Sequence, residues 1–447
     1  MTERQVLDRP ATGTVPVTEF DPAQLRFAWS HDREAFVHQY DRDLQLLVVW
    51  SRGRQHEEAV LELLRREFRV LAQIEVTWSA AEVVTNFERL YGQGLYGTSP
   101  KPQEVGDEPF LLVVVEDLAP RYGYRQNVSG YVELTNLHIA EVKSAARALT
   151  GGYRVHSSNN LREFFRDGTL LLGPGRLRAV VARSGAEPAR EELCDDIVGS
   201  AGWRDLSELF DTLRLTSEYL VLRNFELLPD ELEDDREIDL LAGDQTDLAA
   251  VANARPLDPG GDGAQFGCTV AGQAVVLDVR SIGDGYLDRR WQDAALERRA
   301  WRGGVAVPRA DDHFFSLLYH AKVQKPQVKP RYIPRLGALG SAVGLPGGTA
   351  SRVTDDDVAA SVLDGFLSAH GYGLPRPSDA GVHRNEAFVS RLRLTPAEPT
   401  SIAAARADLW HSVRGSWPAR LAARSTLLRG VYRRARDRFR TSTGRSA

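Results

Sequence analysis

Three acidic residues stand inside apolar, strand-like runs of this sequence, where a carboxylate is costly to desolvate. Glu237 and Asp239 lie in REIDLLAGD, and Asp278 lies in AVVLDVRSIGDGYLD. Residues two apart on a strand project from the same face, so Glu237 and Asp239 are expected to converge. With Asp278 from a neighbouring strand, they would form an oxygen-rich pocket for hard cations such as Mg²⁺ or Mn²⁺. The structural alternative is that fixed protein donors satisfy Asp239.

Polar side chains close to these runs could contact phosphates. Arg223 and Asn224 directly follow the predicted strand YLVL, and Lys322 and Lys325 follow FFSLLY on a predicted helix. Arginine is a good bidentate donor to phosphate. We expect these four residues to contact a nucleotide, although the two lysines could equally face water.

The elements that precede this region alternate between strand and helix. The predicted strands are DLQLLVVW, RVLAQIEVTW, PFLLVVVEDL and YRVHSS, and the predicted helices are HEEAVLELLRREF, AAEVVTNFERLYG, LHIAEVKSAARALTGG and NLREFFRDGTLLLG. This alternation favours an α/β (α+β) fold whose N-terminal sheet is ferredoxin-like and covered by helices on one side.

The stretch GGYRVHSSNNLREFF, with FERLYG and this order of elements, resembles the nucleoside diphosphate kinase family over about residues 40–173. The resemblance places His156 at the phosphate-accepting histidine, and Tyr91, Ser158 and Glu163 at the family's tyrosine, serine and helix glutamate. Tyr153 stands where that family has asparagine, and the lysine near the end of its first strand has no counterpart. We therefore expect a nucleotide-binding or structural role for this domain; a hydrogen-bonded strand-end histidine is the simplest reading of His156.

The runs YLVLRNFELLPDELEDDREIDLLAGD, VVLDVRSIGDGYLDRRWQDAALERR and DDHFFSLLYHAKVQK resemble the DNA polymerase beta-like nucleotidyltransferase superfamily over about residues 203–335. Its mark is an acid-x-acid strand followed by a third acid on a later strand. More specifically, the runs are similar to bacterial nucleotidyltransferase-fold proteins associated with surface-polysaccharide assembly. The resemblance implies Glu237 and Asp239 as metal ligands and Asp278 as third ligand or general base, so that Asp239 and Asp278 act in catalysis.

Composition limits the alternatives. The net charge of -5 gives no global case for nucleic-acid binding, and the two cysteines match no metal-binding spacing. No apolar run approaches a bilayer span, and the N-terminus lacks the apolar core of a signal peptide, so we expect a cytoplasmic protein.

The chain divides by composition into six predicted segments. In the last of them, arginines alternate with apolar residues between positions 416 and 440, a pattern that favours a helix on an anionic membrane surface. A solvated helix or a tail that binds nucleic acid nonspecifically would have the same composition. The segments are a polar leader (1–24), a nucleoside diphosphate kinase-like domain (25–175), a joining segment (176–202), a nucleotidyltransferase-fold domain (203–335), a helical region (336–400) and a basic amphipathic tail (401–447).

These observations predict metal-dependent nucleotidyl or phosphoryl transfer. The donor would be a nucleoside triphosphate or another nucleotide-activated compound, and the acceptor a glycan or polyol phosphate of the bacterial cell surface. One alternative is a non-catalytic nucleotide-sensing or scaffold protein with degenerate folds. Another is an antibiotic-modifying nucleotidyltransferase, which would need an acidic cleft for a cationic drug. No specific nucleic-acid partner is expected.

Overall fold

The computed structural model describes residues 15–16, 42–126, 132–185, 188–232, 236–258 and 264–394. Within these ranges the chain forms four β-sheets and 13 α-helices, a mixed α+β architecture. The described residues divide into two compact units: one contains residues up to 282 together with 292–313, and the other contains 283–291 and the residues from 314 onward.

A five-stranded sheet organises residues 42–193 of the first unit, here called the first module. Its strands, in chain order, are β2 (Asp43–Val49), β3 (Arg69–Val76), β4 (Phe110–Asp117), β7 (Val155–Ser157) and β8 (Glu191–Leu193). They lie side by side in the order β7-β2-β4-β3-β8, and all neighbours are antiparallel except the parallel pair β3 and β8. A smaller sheet contains β1 (Val15–Pro16), β5 (Tyr122–Gln126) and β6 (Val132–Asn136).

The four predicted helices of this module are present. They are α1 (Glu57–Glu67), α2 (Val83–Leu90), α4 (Leu137–Thr150) and α5 (Leu161–Val181), and a short helix that was not predicted, α3 (Lys101–Val105), lies between α2 and α4 in the chain. The sequence sets the limits of α4 locally, because the Asn136 side chain caps its first turn and Gly151 ends it in a left-handed conformation (φ 77°).

Three features of the first module differ from the sequence-based prediction. Every residue of β2 and β4 is buried, so helices cover both faces of the sheet and not one: α1 and α4 pack on one face and α5 on the other. Helix α5 continues past the predicted end through a kink at Gly173 (φ 71°) and Pro174. The predicted joining segment contributes β8, which could not be foreseen because three residues carry too little pattern.

A second five-stranded sheet organises residues 203–282 and 292–313, here called the second module. Its elements are α6 (Leu206–Thr216), β9 (Tyr219–Val221), β10 (Glu237–Ala242), α7 (Gln245–Val251), β11 (Arg255–Pro256), β12 (Gln265–Val270), β13 (Gln273–Ser281) and the hairpin β14 (Ala300–Arg302) and β15 (Val305–Val307). The strand order is β11-β12-β13-β10-β9, in which β10 and β13 are parallel neighbours. The Asp244 side chain caps the first turn of α7.

Arg89 of α2 connects the two modules. Its guanidinium is fully buried and donates from Nε to the Ala250 carbonyl at 3.0 Å and from Nη2 to the Val251 carbonyl at 2.9 Å, at the C-terminal end of α7. A cation is favourable at the carbonyl end of a helix. Burial nevertheless lowers the pKa of Arg89 to about 9. The contact that Arg89 makes between the two modules therefore depends on the positions of the backbone carbonyls at the end of α7.

The second unit is helical apart from its turns. Helices α8 (Arg289–Glu297) and α9 (Ala310–Val323) contribute residues to both units, and α10 (Tyr332–Ala342), α11 (Gly347–Ala350), α12 (Asp356–His370) and α13 (Glu386–Val389) belong to the second. Helix α12 has Asp355 at its N-cap position and ends at Gly371, which has a left-handed backbone. None of the helices in the described ranges combines the length and apolar character that crossing a bilayer requires.

Candidate functional site

The three predicted acids lie together on the second sheet. Asp239 of β10 is the register partner of Asp278 on the parallel strand β13, and Glu237 lies two residues before Asp239 on the same face. One carboxylate oxygen from each of the three residues lies within 4.8 Å of the others. Asp239 and Asp278 are buried and Glu237 is half-buried. The predicted convergence of these side chains is therefore present.

Two arginines accompany the acids. Arg223, which follows β9, donates from Nη2 to Asp239 Oδ1. Arg280 lies two residues beyond Asp278 on β13, and its Nη2 is 3.0 Å from Asp278 Oδ2 and 2.8 Å from Asp278 Oδ1. Both guanidinium groups are about as buried as their partners. Asp239 and Asp278 therefore each lie next to an arginine as well as next to the other acids of the cluster.

The electrostatic balance at Asp239 disfavours the ionised form. Burial raises the pKa of Asp239 to about 6; Arg223 opposes this increase, and the neighbouring charges of Asp278 and Glu237 add to it. Asp278 Oδ1 is buried and accepts no hydrogen bond of good geometry from any described residue, despite its closeness to Arg280. An additional positive charge would lower the energy of this cluster.

The other predicted phosphate contacts are divided between the two units. Asn224 follows Arg223 in the first unit with a left-handed backbone (φ 59°). Lys322 and Lys325 belong to the second unit. The Lys322 ammonium donates to Asp356 Oδ1 at 2.8 Å and to the Thr354 carbonyl, at the start of α12. Lys322 therefore has a structural role within its own unit.

In the first module, His156 is engaged by a carboxylate. Its Nε2 lies 2.9 Å from Asp167 Oδ2, and Arg166 Nη1 donates to the other oxygen of Asp167 at 2.7 Å. The ring of Tyr91 packs edge-on against the imidazole at a centroid distance of 5.3 Å. A phosphate-accepting imidazole needs a free nitrogen facing its donor. The contact with Asp167 matches the structural reading of His156.

Ser158 and Glu163 likewise make internal bonds. Ser158 Oγ donates to Gln45 Oε1 at 2.7 Å and accepts from the Leu46 amide, which ties β7 to β2. Glu163 accepts from the Asn159 amide at 2.7 Å, at the start of α5. His156, Glu163 and Asp167 also bring potential ligand atoms within 4.8 Å of one another, but the Arg166 guanidinium already balances charge there.

A lysine that the sequence analysis did not select lies beside this cluster. Lys143 of α4 donates to the Ser157 carbonyl at 3.1 Å and to Asn159 Oδ1 at 3.3 Å. Burial lowers its pKa to about 8. No sequence signal marks Lys143, because its proximity to His156 arises from the packing of α4 on the sheet.

Two other omitted residues did have a local signal. Arg280 follows Asp278 at strand spacing, so the two side chains share a face. Asp167 follows Glu163 by four residues on α5, so these two share a helix face.

No protein-family model matches this chain, and neither the curated proteins nor the solved structures contain a significant match.

Proposed function

We propose that the protein is a metal-dependent nucleotidyltransferase whose active centre is formed by Glu237, Asp239 and Asp278. The observation that carries this proposal is the parallel pairing of Asp239 with Asp278, together with Glu237 on the same face. We also propose a nucleotidyltransferase fold for the second module and a ferredoxin-like, nucleoside diphosphate kinase-like fold for the first module. The strand order β7-β2-β4-β3 supports the ferredoxin-like fold of the first module.

The donor set fits a hard divalent cation. Mg²⁺ prefers oxygen ligands at about 2.0–2.1 Å, and oxygens on a shared ion of this size lie roughly 3–4 Å apart, compatible with the 4.8 Å limit observed here. The pKa of Asp239 is raised chiefly by burial and further by the charges of Asp278 and Glu237, and Asp278 Oδ1 is buried, so a bound cation would stabilise the ionised carboxylates. Glu237, Asp239 and Asp278 would hold Mg²⁺ or Mn²⁺. When bound, the ion would neutralise charge on the transferring phosphate.

The protein's own residues have separate tasks in the proposed reaction. Arg223, with Asn224 beside it, binds phosphate oxygens of the donor and orients the α-phosphorus. The acceptor hydroxyl oxygen forms a bond to that phosphorus in line with the leaving pyrophosphate, whose bond breaks. Asp278 accepts the hydroxyl proton.

The proposed donor is a nucleoside triphosphate or nucleotide-activated compound, and the acceptor a glycan or polyol phosphate in bacterial cell-surface synthesis. This choice is supported by the resemblance of residues 219–244, 275–299 and 311–325 to bacterial nucleotidyltransferase-fold proteins associated with surface-polysaccharide assembly. The basic tail, which would provide a peripheral membrane contact for a cytoplasmic enzyme, lies outside the described residues.

A non-catalytic nucleotide-binding or scaffold role is the second candidate, and one observation favours it. Arg223 and Arg280 already supply positive charge to Asp239 and Asp278. In such a protein the arginines would replace the cation permanently, and the acids would serve the fold.

The test measures transfer from the four α-labelled nucleoside triphosphates, with Mg²⁺, to glycerol phosphate and hexose phosphate acceptors. We expect labelled product with the wild type and with Asp244→Asn, a matched control at a helix cap outside the site. We expect none with Asp278→Asn. Nucleotide binding without product would favour the non-catalytic role, and the absence of both would contradict a nucleotide function.

A further inference from the structure

Each buried acid of the candidate centre has its own arginine, and the two arginines come from different strands. Arg223 reaches Asp239 from the end of β9, and Arg280 reaches Asp278 along β13. With Glu237, the five ionised side chains carry one net negative charge. The carboxylate groups that could bind a cation are therefore the same groups that the arginines contact.

We propose that Arg223 and Arg280 form an arginine latch, which occupies the carboxylates of Asp239 and Asp278 until a phosphate-bearing donor draws the guanidinium groups away. This inference rests on the proposed function and deepens it. It assigns a task to Arg280 and makes both arginines competitors of the divalent cation.

The latch follows from charge and burial. A guanidinium beside a carboxylate repels a divalent cation that approaches the same oxygen, and the repulsion is strong where water is scarce. Arg223 and Arg280 are themselves buried, so separating either guanidinium from its carboxylate without supplying another anion breaks a buried ion pair, which is costly. A cation alone should therefore bind weakly.

A phosphate-bearing donor removes this penalty. Its oxygens are good bidentate partners for guanidinium groups, so Arg223 and Arg280 exchange one anion for another. The carboxylates are then free. The latch consequently couples the two binding events: the centre becomes fully loaded only when the donor is present, which protects the acids from the cation in the resting protein.

The experiment measures the affinity of the full-length protein for Mn²⁺ alone by titration calorimetry, without nucleotide. We expect Arg223→Gln and Arg280→Gln each to bind Mn²⁺ about tenfold more tightly than the wild type, because one competing positive charge is gone. Arg223→Lys keeps the charge and should stay close to the wild type. Arg214→Gln removes an exposed arginine, 3.5 Å from Asp211, and should change nothing.

The outcomes separate the latch from the proposed function. Measurable Mn²⁺ binding with no gain in either glutamine variant, or with a loss, overturns the latch and leaves the metal centre standing. No Mn²⁺ binding by the wild type and by both variants overturns the proposed function and the latch together. Melting curves identify a variant that fails to fold, in which case the remaining arginine variant decides.

Discussion

Arg166 of α5 and Asp247 of α7 form a buried ion pair that joins the two modules. Arg166 Nη2 and Nε lie 2.7 and 2.9 Å from Asp247 Oδ1, and both side chains are less than a tenth exposed. Gly92 makes this approach possible, since a Cβ there would lie 2.7 Å from the same oxygen and its φ of 61° is left-handed. The same guanidinium contacts Asp167, so a continuous chain of contacts runs from His156 to the start of α7.

The first prediction concerns the contribution of the Arg166–Asp247 ion pair to the stability of the protein. Arg166→Met or Asp247→Asn breaks this buried ion pair and should lower the free energy of unfolding by about 3–5 kcal/mol. Urea denaturation followed by tryptophan fluorescence measures the loss. As a control, Arg65→Met breaks a partly exposed pair with Glu58 and should cost no more than about 1 kcal/mol. Equal, small effects in all three variants would show that the Arg166–Asp247 ion pair does not stabilise the protein.

The second prediction concerns metal and Asp239. At pH 8 with a chelator, Asp239→Asn should melt higher than the wild type, because burial and the charges of Asp278 and Glu237 outweigh the attraction of Arg223 for the carboxylate. The asparagine oxygen can still accept a hydrogen bond from Arg223. Mg²⁺ at a hundred times its dissociation constant should stabilise the wild type by about 2.7 kcal/mol and the variant much less. The measurement is a set of four melting curves. A less stable variant and a wild type indifferent to metal would mean that Asp239 serves the fold.

The third prediction concerns the pH dependence of stability. The pKa of Asp239 is raised to about 6 in the folded protein, so the native state holds its proton more tightly than the unfolded chain does. Its contribution is therefore fully present below about pH 4 and is lost as the pH rises through 6, by up to about 3 kcal/mol. The stability of the wild type relative to Asp239→Asn, measured in chelator at pH 4 and pH 7.5, should fall by that order. A difference that does not change with pH would contradict the raised pKa.

The fourth prediction concerns His156. Incubation with γ-labelled ATP should give no acid-labile label, because Tyr153 replaces the family's asparagine and the family's lysine has no counterpart, so contacts to the migrating phosphate are missing. The His156→Ala variant serves as the background, and chemical phosphorylation of a free histidine peptide serves as the positive control for label stability. Stoichiometric labelling of the wild type that His156→Ala abolishes would show that the phosphohistidine chemistry is retained.

Much of the local structure could be predicted from the sequence. The spacing of apolar residues located β2, β3, β4 and α1, and the glycines after Thr150 marked the end of α4, since such signals depend on neighbours along the chain. The short strand β8 was not predicted, because it pairs with β3, which lies far away in sequence. The hairpin of β5 and β6 was also not predicted, although its two strands are neighbours along the chain.

The sequence by itself placed Glu237 and Asp239 on one face of a strand, because the period of a β-strand depends only on the backbone. Only the tertiary structure decided that Asp278 stands opposite Asp239, that Arg223 contacts Asp239, and that Arg166 reaches Asp247. Each of the contacts to Asp239 and Asp247 joins separate elements, and their pairing is determined by how the sheets and helices bury their apolar faces. Local pattern thus supplied the candidate acids, and packing supplied the charges that surround them.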